Sequence, residues 1–113
     1  MKKYIVLFLL VPFFTFSQSN DKNTKETFSV EGNCSMCKKR IEKAALSLEG
    51  VKYAKWNKKS GDFSIIYNNE KVNIQEIRSK IAQSGHDNGE YVTTTEVYDK
   101  LPDCCKYNDK GKH

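Results

Sequence analysis

The sequence contains few of the residues that interrupt regular structure. Two prolines and six glycines in 113 residues exclude collagen-like and linker-dominated chains. A composition of 38% hydrophobic and 29% charged residues is typical of a small globular domain rather than a disordered or polytopic membrane protein. The chain is too short for a large enzyme with a cleft between domains. It also lacks a Ser/His/Asp arrangement or paired carboxylates that would recommend a hydrolase.

Long apolar runs are scarce as well, and the longest one lies at the N terminus. Lys2 and Lys3 precede a mostly apolar stretch over residues 4–16, which is shorter than the roughly 20 apolar residues of a membrane-spanning helix. A basic start, a short apolar core and small residues after it are typical of a secretory signal peptide. We expect residues 1–17 to be a signal peptide, residues 18–26 to be a flexible lead-in, and the mature protein to be periplasmic or secreted. A retained N-terminal anchor is the alternative.

The middle of the chain alternates strand and helix patterns. Apolar periodicity predicts strands at 27–31, 51–57, 63–67 and 90–94, and helices at about 35–48 and 74–83. Asn73 and Glu76 form a capping-box signature at the start of the second helix. The order predicts an α+β fold, a ferredoxin-like βαββαβ sandwich with an antiparallel four-stranded sheet and two helices on one face. This domain would occupy residues 27–94, followed by a short C-terminal extension at 95–113 that contains a Cys-Cys pair.

The core of this domain follows from the apolar positions. It is predicted to contain Phe28, Val30, Ile41, Leu48, Val51, Trp56, Phe63, Ile65, Ile77 and Ile81. Trp56 and Phe63 are interpreted as core residues with no functional role.

Four cysteines in so short a chain are the unusual feature. Cys34 and Cys37 lie three positions apart, where free backbone N–H groups and the helix dipole at the start of the first helix favour thiolates. Thiolates select soft or borderline ions such as Cu(I), Hg(II), Zn(II) or Cd(II). Two ligands do not complete a zinc tetrahedron. A two-sulfur site therefore suits Cu(I) or Hg(II), and we expect both sulfurs to face solvent.

At these residues the chain resembles a known family. Residues 27–92 are similar to the heavy-metal-associated domain family of copper chaperones, metal-ATPase N-terminal domains and periplasmic mercury-binding proteins. The matching features are Val30-Glu-Gly32, Cys34 and Cys37 opening a helix, Gly50-Val51 with Ala54, the alternating third strand, and Ser84-Gly85-His86. The resemblance implies a βαββαβ fold, metal binding by Cys34 and Cys37, and transfer by stepwise thiolate exchange with a partner. The loop is one residue shorter than the family's Gly-Met-x-Cys-x-x-Cys and lacks its buried Met.

Four further residues are candidate ligands. His86 is either a third ligand or a surface histidine after a helix cap. Met36 is either a weak thioether ligand or an exposed or core-edge side chain. Adjacent cysteines such as Cys104 and Cys105 seldom bond to each other, because the small ring strains the intervening peptide. They could add thiolates to the Cys34/Cys37 ion, bind a separate ion, or form disulfides outside the cytosol.

The sequence thus predicts an exported, non-enzymatic protein that binds and transfers a soft metal ion. Cu(I) is the first choice, with Hg(II) or Zn(II) as alternatives, and the partner would be a metal-transporting membrane protein or another metallochaperone. A thiol–disulfide oxidoreductase that uses the same cysteine pair is the alternative. An RNA-binding module shares the topology, but the third strand lacks the basic-Gly-aromatic run of such modules, so no nucleic acid is expected.

Overall fold

The computed structural model describes residues 22–110. The predicted signal peptide and the first part of the predicted lead-in lie outside these residues. The elements are β1 (Asn23–Ser29), α1 (Ser35–Leu46), β2 (Val51–Trp56), β3 (Asp62–Asn68), α2 (Ile74–Gln83), α3 (Thr95–Asp99), a 3₁₀ turn η1 (Asp103–Cys105) and α4 (Tyr107–Lys110). Within the described range, every helix is too short or too polar to cross a bilayer.

The sheet has three antiparallel strands in the order β1-β3-β2. The central strand β3 pairs Phe63 with Phe28 on one side and with Trp56 on the other, so the three rings lie on one face. Along β3, Phe63, Ile65 and Tyr67 are buried and the residues between them are partly exposed. This period-2 pattern confirms the predicted third strand.

The first strand begins at Asn23, four residues before its predicted start, so residues 23–26 are not a flexible lead-in. This segment has no apolar residue, and its polar side chains bond to the sheet instead. The Tyr67 hydroxyl donates to Glu26 Oε2 at 2.7 Å, and Asn69 Nδ2 donates to Thr24 Oγ1 at 2.7 Å. Apolar periodicity does not detect a strand that is held by ladder and side-chain hydrogen bonds.

The predicted fourth strand is wrong: residues 90–94 form no strand, and the described sheet has three strands rather than four. The chain just before this segment lies beside Glu31, two residues past the end of β1, and the Glu31 N–H donates to the Asp87 carbonyl at 2.9 Å. Gly89 then adopts a positive φ of 62°, a conformation that glycine tolerates. The chain turns back, leaving only an isolated bridge between Asn88 and Tyr91.

The two long helices start and pack largely as their sequences predict. The capping box of α2 is confirmed, because Asn73 Oδ1 accepts the Glu76 N–H at 2.8 Å and Glu76 Oε1 accepts the Asn73 N–H at 3.0 Å. Helix α1 contacts both β2 and α2, and the Arg78 guanidinium of α2 lies 4.0 Å from the centre of the Phe28 ring. Both helices therefore approach the apolar side of the sheet.

The core is larger than predicted because the C-terminal extension joins it. Of the predicted core residues, Leu48 and Val51 are only partly buried and the others are buried. Leu101, Cys105 and Tyr107 are buried in the same cluster. Leu101 lies directly on Gly85, where φ is +113° and a Cβ atom would approach Leu101 Cδ2 to 2.7 Å. Glycine at this position thus permits both the turn and the close approach of the extension.

Candidate metal centre

The loop before α1 is fixed by the indole of Trp56. A Cβ atom at Gly32 would lie 2.9 Å from Trp56 Cζ2, so the loop lies on the ring only because residue 32 has no side chain. The indole N–H donates to the Val30 carbonyl at 3.0 Å. Cys34 is the N-cap residue of α1, and its side chain makes no capping hydrogen bond. Its sulfur therefore does not cap the helix.

The sulfurs of Cys34 and Cys37 lie 3.5 Å apart. Cys34 is partly buried, whereas Cys37 is 0% exposed. The Asn33 backbone N–H donates to the Cys37 sulfur at 3.3 Å, a contact that stabilises a thiolate. The sequence placed these sulfurs together correctly, but the expectation that both face solvent is wrong for Cys37. The physical reason is the C-terminal extension, whose turn η1 packs on α1.

The extension brings both of its cysteines to the same place. Cys104 is disulfide-bonded to Cys34, with their Cα atoms 6.1 Å apart. Cys105 is a free, buried thiol whose sulfur lies 3.5 Å from that of Cys34. Burial and a hydrogen bond with Cys37 raise the pKa of Cys105 to about 12. The sequence left three possibilities for the cysteines of the extension. In the structure Cys104 forms a disulfide, and Cys105 lies beside the Cys34/Cys37 pair.

Tyr107 holds the extension in place. Its hydroxyl donates to the Gly85 carbonyl at 2.8 Å and accepts the Asp87 N–H at 3.0 Å. Burial raises the pKa of Tyr107, so the hydroxyl keeps its donor proton at neutral pH. Its ring stacks on His86 with centroids 5.7 Å apart and meets Tyr98 edge-on at 5.2 Å. Sequence reasoning missed this anchor, although Leu101 and Tyr107 flank the Cys-Cys pair as large side chains in a polar tail.

His86 is buried beneath the C-terminal extension, so its interpretation as a surface histidine is wrong. Its Nδ1 lies 2.8 Å from the Glu31 carbonyl. Because a carbonyl only accepts, Nδ1 carries the proton and Nε2 has the free lone pair. Burial lowers the pKa of His86 to about 4, so the ring is neutral at neutral pH. Nε2 is buried and has no hydrogen-bond partner within the described residues.

These side chains form two overlapping groups of metal-ligating atoms. The sulfurs of Cys34, Cys104 and Cys105 lie within 4.8 Å of one another. The second group consists of Cys37, His86 and Cys105, and each contributes one ligand atom that lies within 4.8 Å of the other two. Thiolates and imidazole are ligands that soft and borderline ions prefer. Met36 belongs to neither group and is 50% exposed.

Known proteins that are similar in sequence and in structure match a little over half of this chain. A copper chaperone, CopZ of Staphylococcus aureus, is 32% identical over 65 residues, which are 57% of this chain and 96% of that protein. A solved CopZ metallochaperone has a TM-score of 0.57 and 31% identity, covering 58% of this chain and all of that one. The water-soluble region of the P-type ATPase CopA from Bacillus subtilis has a TM-score of 0.56 and 27% identity, covering 58% of this chain and 44% of that one.

The family profile for the heavy-metal-associated domain matches residues 27–87. These residues include Cys34, Cys37 and His86 and end before Cys104 and Cys105. The match covers more than half of the chain, and the CopZ relative is matched over nearly its whole length. The chain therefore belongs to the heavy-metal-associated domain family, a family of metal-ion-binding domains rather than enzymes.

Proposed function

We propose that this chain is an exported carrier of a soft metal ion, with Cu(I) as its physiological cargo, that binds the ion between Cys34 and Cys37. The observation that carries the proposal is the 3.5 Å separation of the two sulfurs at the N terminus of α1 in a member of this family. Copper is favoured over Hg(II) and Zn(II) because the CopZ relative of Staphylococcus aureus is named as a copper chaperone. Two thiolates also suit Cu(I) better than zinc, which takes four ligands.

Binding at the pair requires the Cys34–Cys104 disulfide to be reduced. Reduction adds two electrons and two protons to the disulfide and returns two thiols, and a dithiol reductant is itself oxidised to a disulfide. Cu(I) then displaces the protons from Cys34 and Cys37. The Asn33 N–H and the start of α1 stabilise the negative charge that the two thiolates add. The disulfide thus blocks the pair in the oxidised chain.

Transfer would proceed from the Cys34 side of the site. Cys34 is partly exposed whereas Cys37 is buried, so an incoming thiolate reaches an ion first beside Cys34. The partner's sulfur would replace Cys34 as a ligand before it replaces Cys37. A metal-transporting membrane protein or a second metallochaperone fits this role, and the similarity to the soluble region of the P-type ATPase CopA supports the first of these.

The test is anaerobic Cu(I) binding by the reduced protein in competition with a colorimetric Cu(I) chelator. The informative variants are Cys34→Ser/Cys37→Ser and the matched control Cys104→Ser/Cys105→Ser, which changes two sulfurs and keeps the pair. We expect tight binding of one ion by wild type and by the control, and a loss of at least 100-fold in affinity for the first variant. Equal binding by wild type and Cys34→Ser/Cys37→Ser would show that the pair is not the site.

The alternative function, thiol–disulfide exchange by the same pair, predicts a different result. A disulfide reductase should reduce insulin disulfides at many turnovers per molecule, whereas a carrier should show no turnover above free dithiothreitol. Export is tested by fractionating cells that express the full chain with a C-terminal tag, beside a variant that lacks residues 2–17. A periplasmic or secreted location that depends on those residues supports the proposal, and equal retention of both forms in the cytoplasm contradicts it.

A further inference from the structure

We propose that the chain has a second soft-metal site, formed by Cys37, His86 and Cys105 and called the inner site below, that holds Cu(I) while Cys34 and Cys104 are disulfide-bonded. The inner site shares only Cys37 with the pair proposed above. It draws one ligand each from α1, from the loop after α2 and from the C-terminal extension. Cys105 lies beyond the family match, which ends at residue 87.

The first argument is geometric. The three ligand atoms already lie within 4.8 Å of one another, and all three residues are 0% exposed. Bonds of about 2.0–2.3 Å to nitrogen and sulfur place the ligand atoms of a trigonal site about 3.5–4 Å apart. Movement of about an ångström or less would therefore bring the three donors onto one ion. The ion would therefore be held by side chains that the rest of the protein covers.

The second argument is the unpaired nitrogen of His86. Nε2 is buried without a hydrogen-bond partner in the described part of the chain, and a buried polar atom without a partner destabilises a fold. The Glu31 carbonyl fixes the other nitrogen at 2.8 Å. A metal-ligating histidine usually donates its second ring N–H to a carbonyl or carboxylate in this way. An ion bound to Nε2 would satisfy an atom that the fold otherwise leaves unpaired.

The third argument is charge. A Cu(I) ion bound by two thiolates and a neutral imidazole carries a net charge of about −1, which is costly in a buried place unless a cation compensates it. The Arg40 guanidinium acts electrostatically on both His86 and Cys105, and its Nε is buried without a hydrogen-bond partner among the described residues. Arg40 would therefore offset part of the negative charge of the loaded site. Zn(II) would need a fourth ligand that the enclosed trio does not supply.

The disulfide selects between the two sites. Oxidation of Cys34 and Cys104 by a small-molecule disulfide forms one S–S bond and transfers two electrons and two protons to the oxidant, which becomes two thiols. Cys34 is then no longer a ligand, whereas Cys37 and Cys105 remain free thiols. A single ion would thus be retained in the interior of the oxidised chain and become accessible beside Cys34 after reduction.

The test uses the variant Cys34→Ser/Cys104→Ser, which lacks the Cys34/Cys37 pair and the disulfide but keeps the inner site. Under anaerobic conditions, with Cu(I) supplied as its acetonitrile complex, we expect one bound ion per chain. X-ray absorption should show two sulfur ligands and one nitrogen ligand. Adding His86→Gln or Cys105→Ser should weaken binding at least 100-fold. Binding of no ion, or an all-sulfur site whose affinity His86→Gln does not change, overturns the inner site.

Two further measurements separate this inference from the proposed function and from misfolding. The Cys104→Ser/Cys105→Ser variant keeps the Cys34/Cys37 pair but not the inner site. If this variant does not bind Cu(I) whereas Cys34→Ser/Cys104→Ser does, the proposed function is overturned and the inner site is supported. In the second measurement, ¹⁵N NMR of the ring nitrogens of the folded Cys34→Ser/Cys104→Ser protein follows His86 directly. Cu(I) should shift the Nε2 resonance, and an unchanged resonance refutes the inner site even where further variants do not fold.

Discussion

Reduction of the Cys34–Cys104 disulfide should destabilise the metal-free protein by a predictable amount. The bond joins residues 70 positions apart and therefore encloses most of the described fold in one covalent loop. Closing a loop of this length lowers the chain entropy of the unfolded state by an amount worth about 4 kcal/mol at 25 °C. We expect the free energy of unfolding of the oxidised protein to exceed that of the reduced protein by about this much.

Urea unfolding followed by Trp56 fluorescence measures the effect, because Trp56 is the single tryptophan of the chain and is 1% exposed. A chelator keeps both forms free of metal. For a small domain whose stability falls by about 1 kcal/mol per molar urea, the midpoint should differ by several molar. The Cys34→Ser/Cys104→Ser variant should not respond to reductant. A difference below about 1 kcal/mol, or an equal response of the variant, would refute the loop-closure reasoning.

Three other predictions concern residues away from the sulfurs. Burial and a hydrogen bond raise the pKa of Tyr67 to about 12 from 10.0. The neutral phenol therefore stabilises the fold fully below pH 10, and this stabilisation is lost as the pH rises to 12. Urea unfolding should show a steeper fall in the free energy of unfolding between pH 10 and 12 for wild type than for Tyr67→Phe. Gly85→Ala should cost about 1–3 kcal/mol and speed labelling of the buried thiols, because the new Cβ atom meets Leu101 Cδ2 at 2.7 Å. The control Gly61→Ala also has a positive φ, and its Cβ atom would meet only the Val30 carbonyl oxygen, at an ordinary contact distance of 3.7 Å, so it should strain the backbone without exposing thiols. Asn73→Ala removes the capping box and should lower the free energy of unfolding by about 1 kcal/mol in the same assay, whereas an unchanged value would show that the cap contributes nothing.

The sequence allowed α1, α2, β2 and β3 to be predicted because their apolar periodicity is strong. The stripe of Ile77 and Ile81 and the alternation of Phe63 with Ile65 each bury one face. The first strand was placed four residues too late, because Thr24 and Glu26 are polar and bond across the sheet. The fourth strand was wrong because Gly89 turns the chain away after Asp87 has bonded to Glu31, two residues past the end of β1.

The sequence predicted which residues are candidate ligands, but not that the C-terminal extension covers them. Spacing alone brought Cys34 and Cys37 together, because residues three apart at a helix start project to the same side. The placement of Cys105 against them depends on contacts distant in sequence, above all the bonds of Tyr107 to the loop after α2. Local patterns contain no information about such contacts. The burial of His86 follows from the same packing, since the ring of Tyr107 stacks on it.

The wide span of the disulfide also determines how the chain would respond to proteases. A single cut at any peptide bond between residues 34 and 104 would leave both fragments attached through the S–S bond. Such a nicked molecule would gain only one water and would migrate as one band until a reductant separates the pieces. In a compartment rich in proteolytic enzymes, the same covalent tie that blocks the pair would keep a damaged chain in one piece.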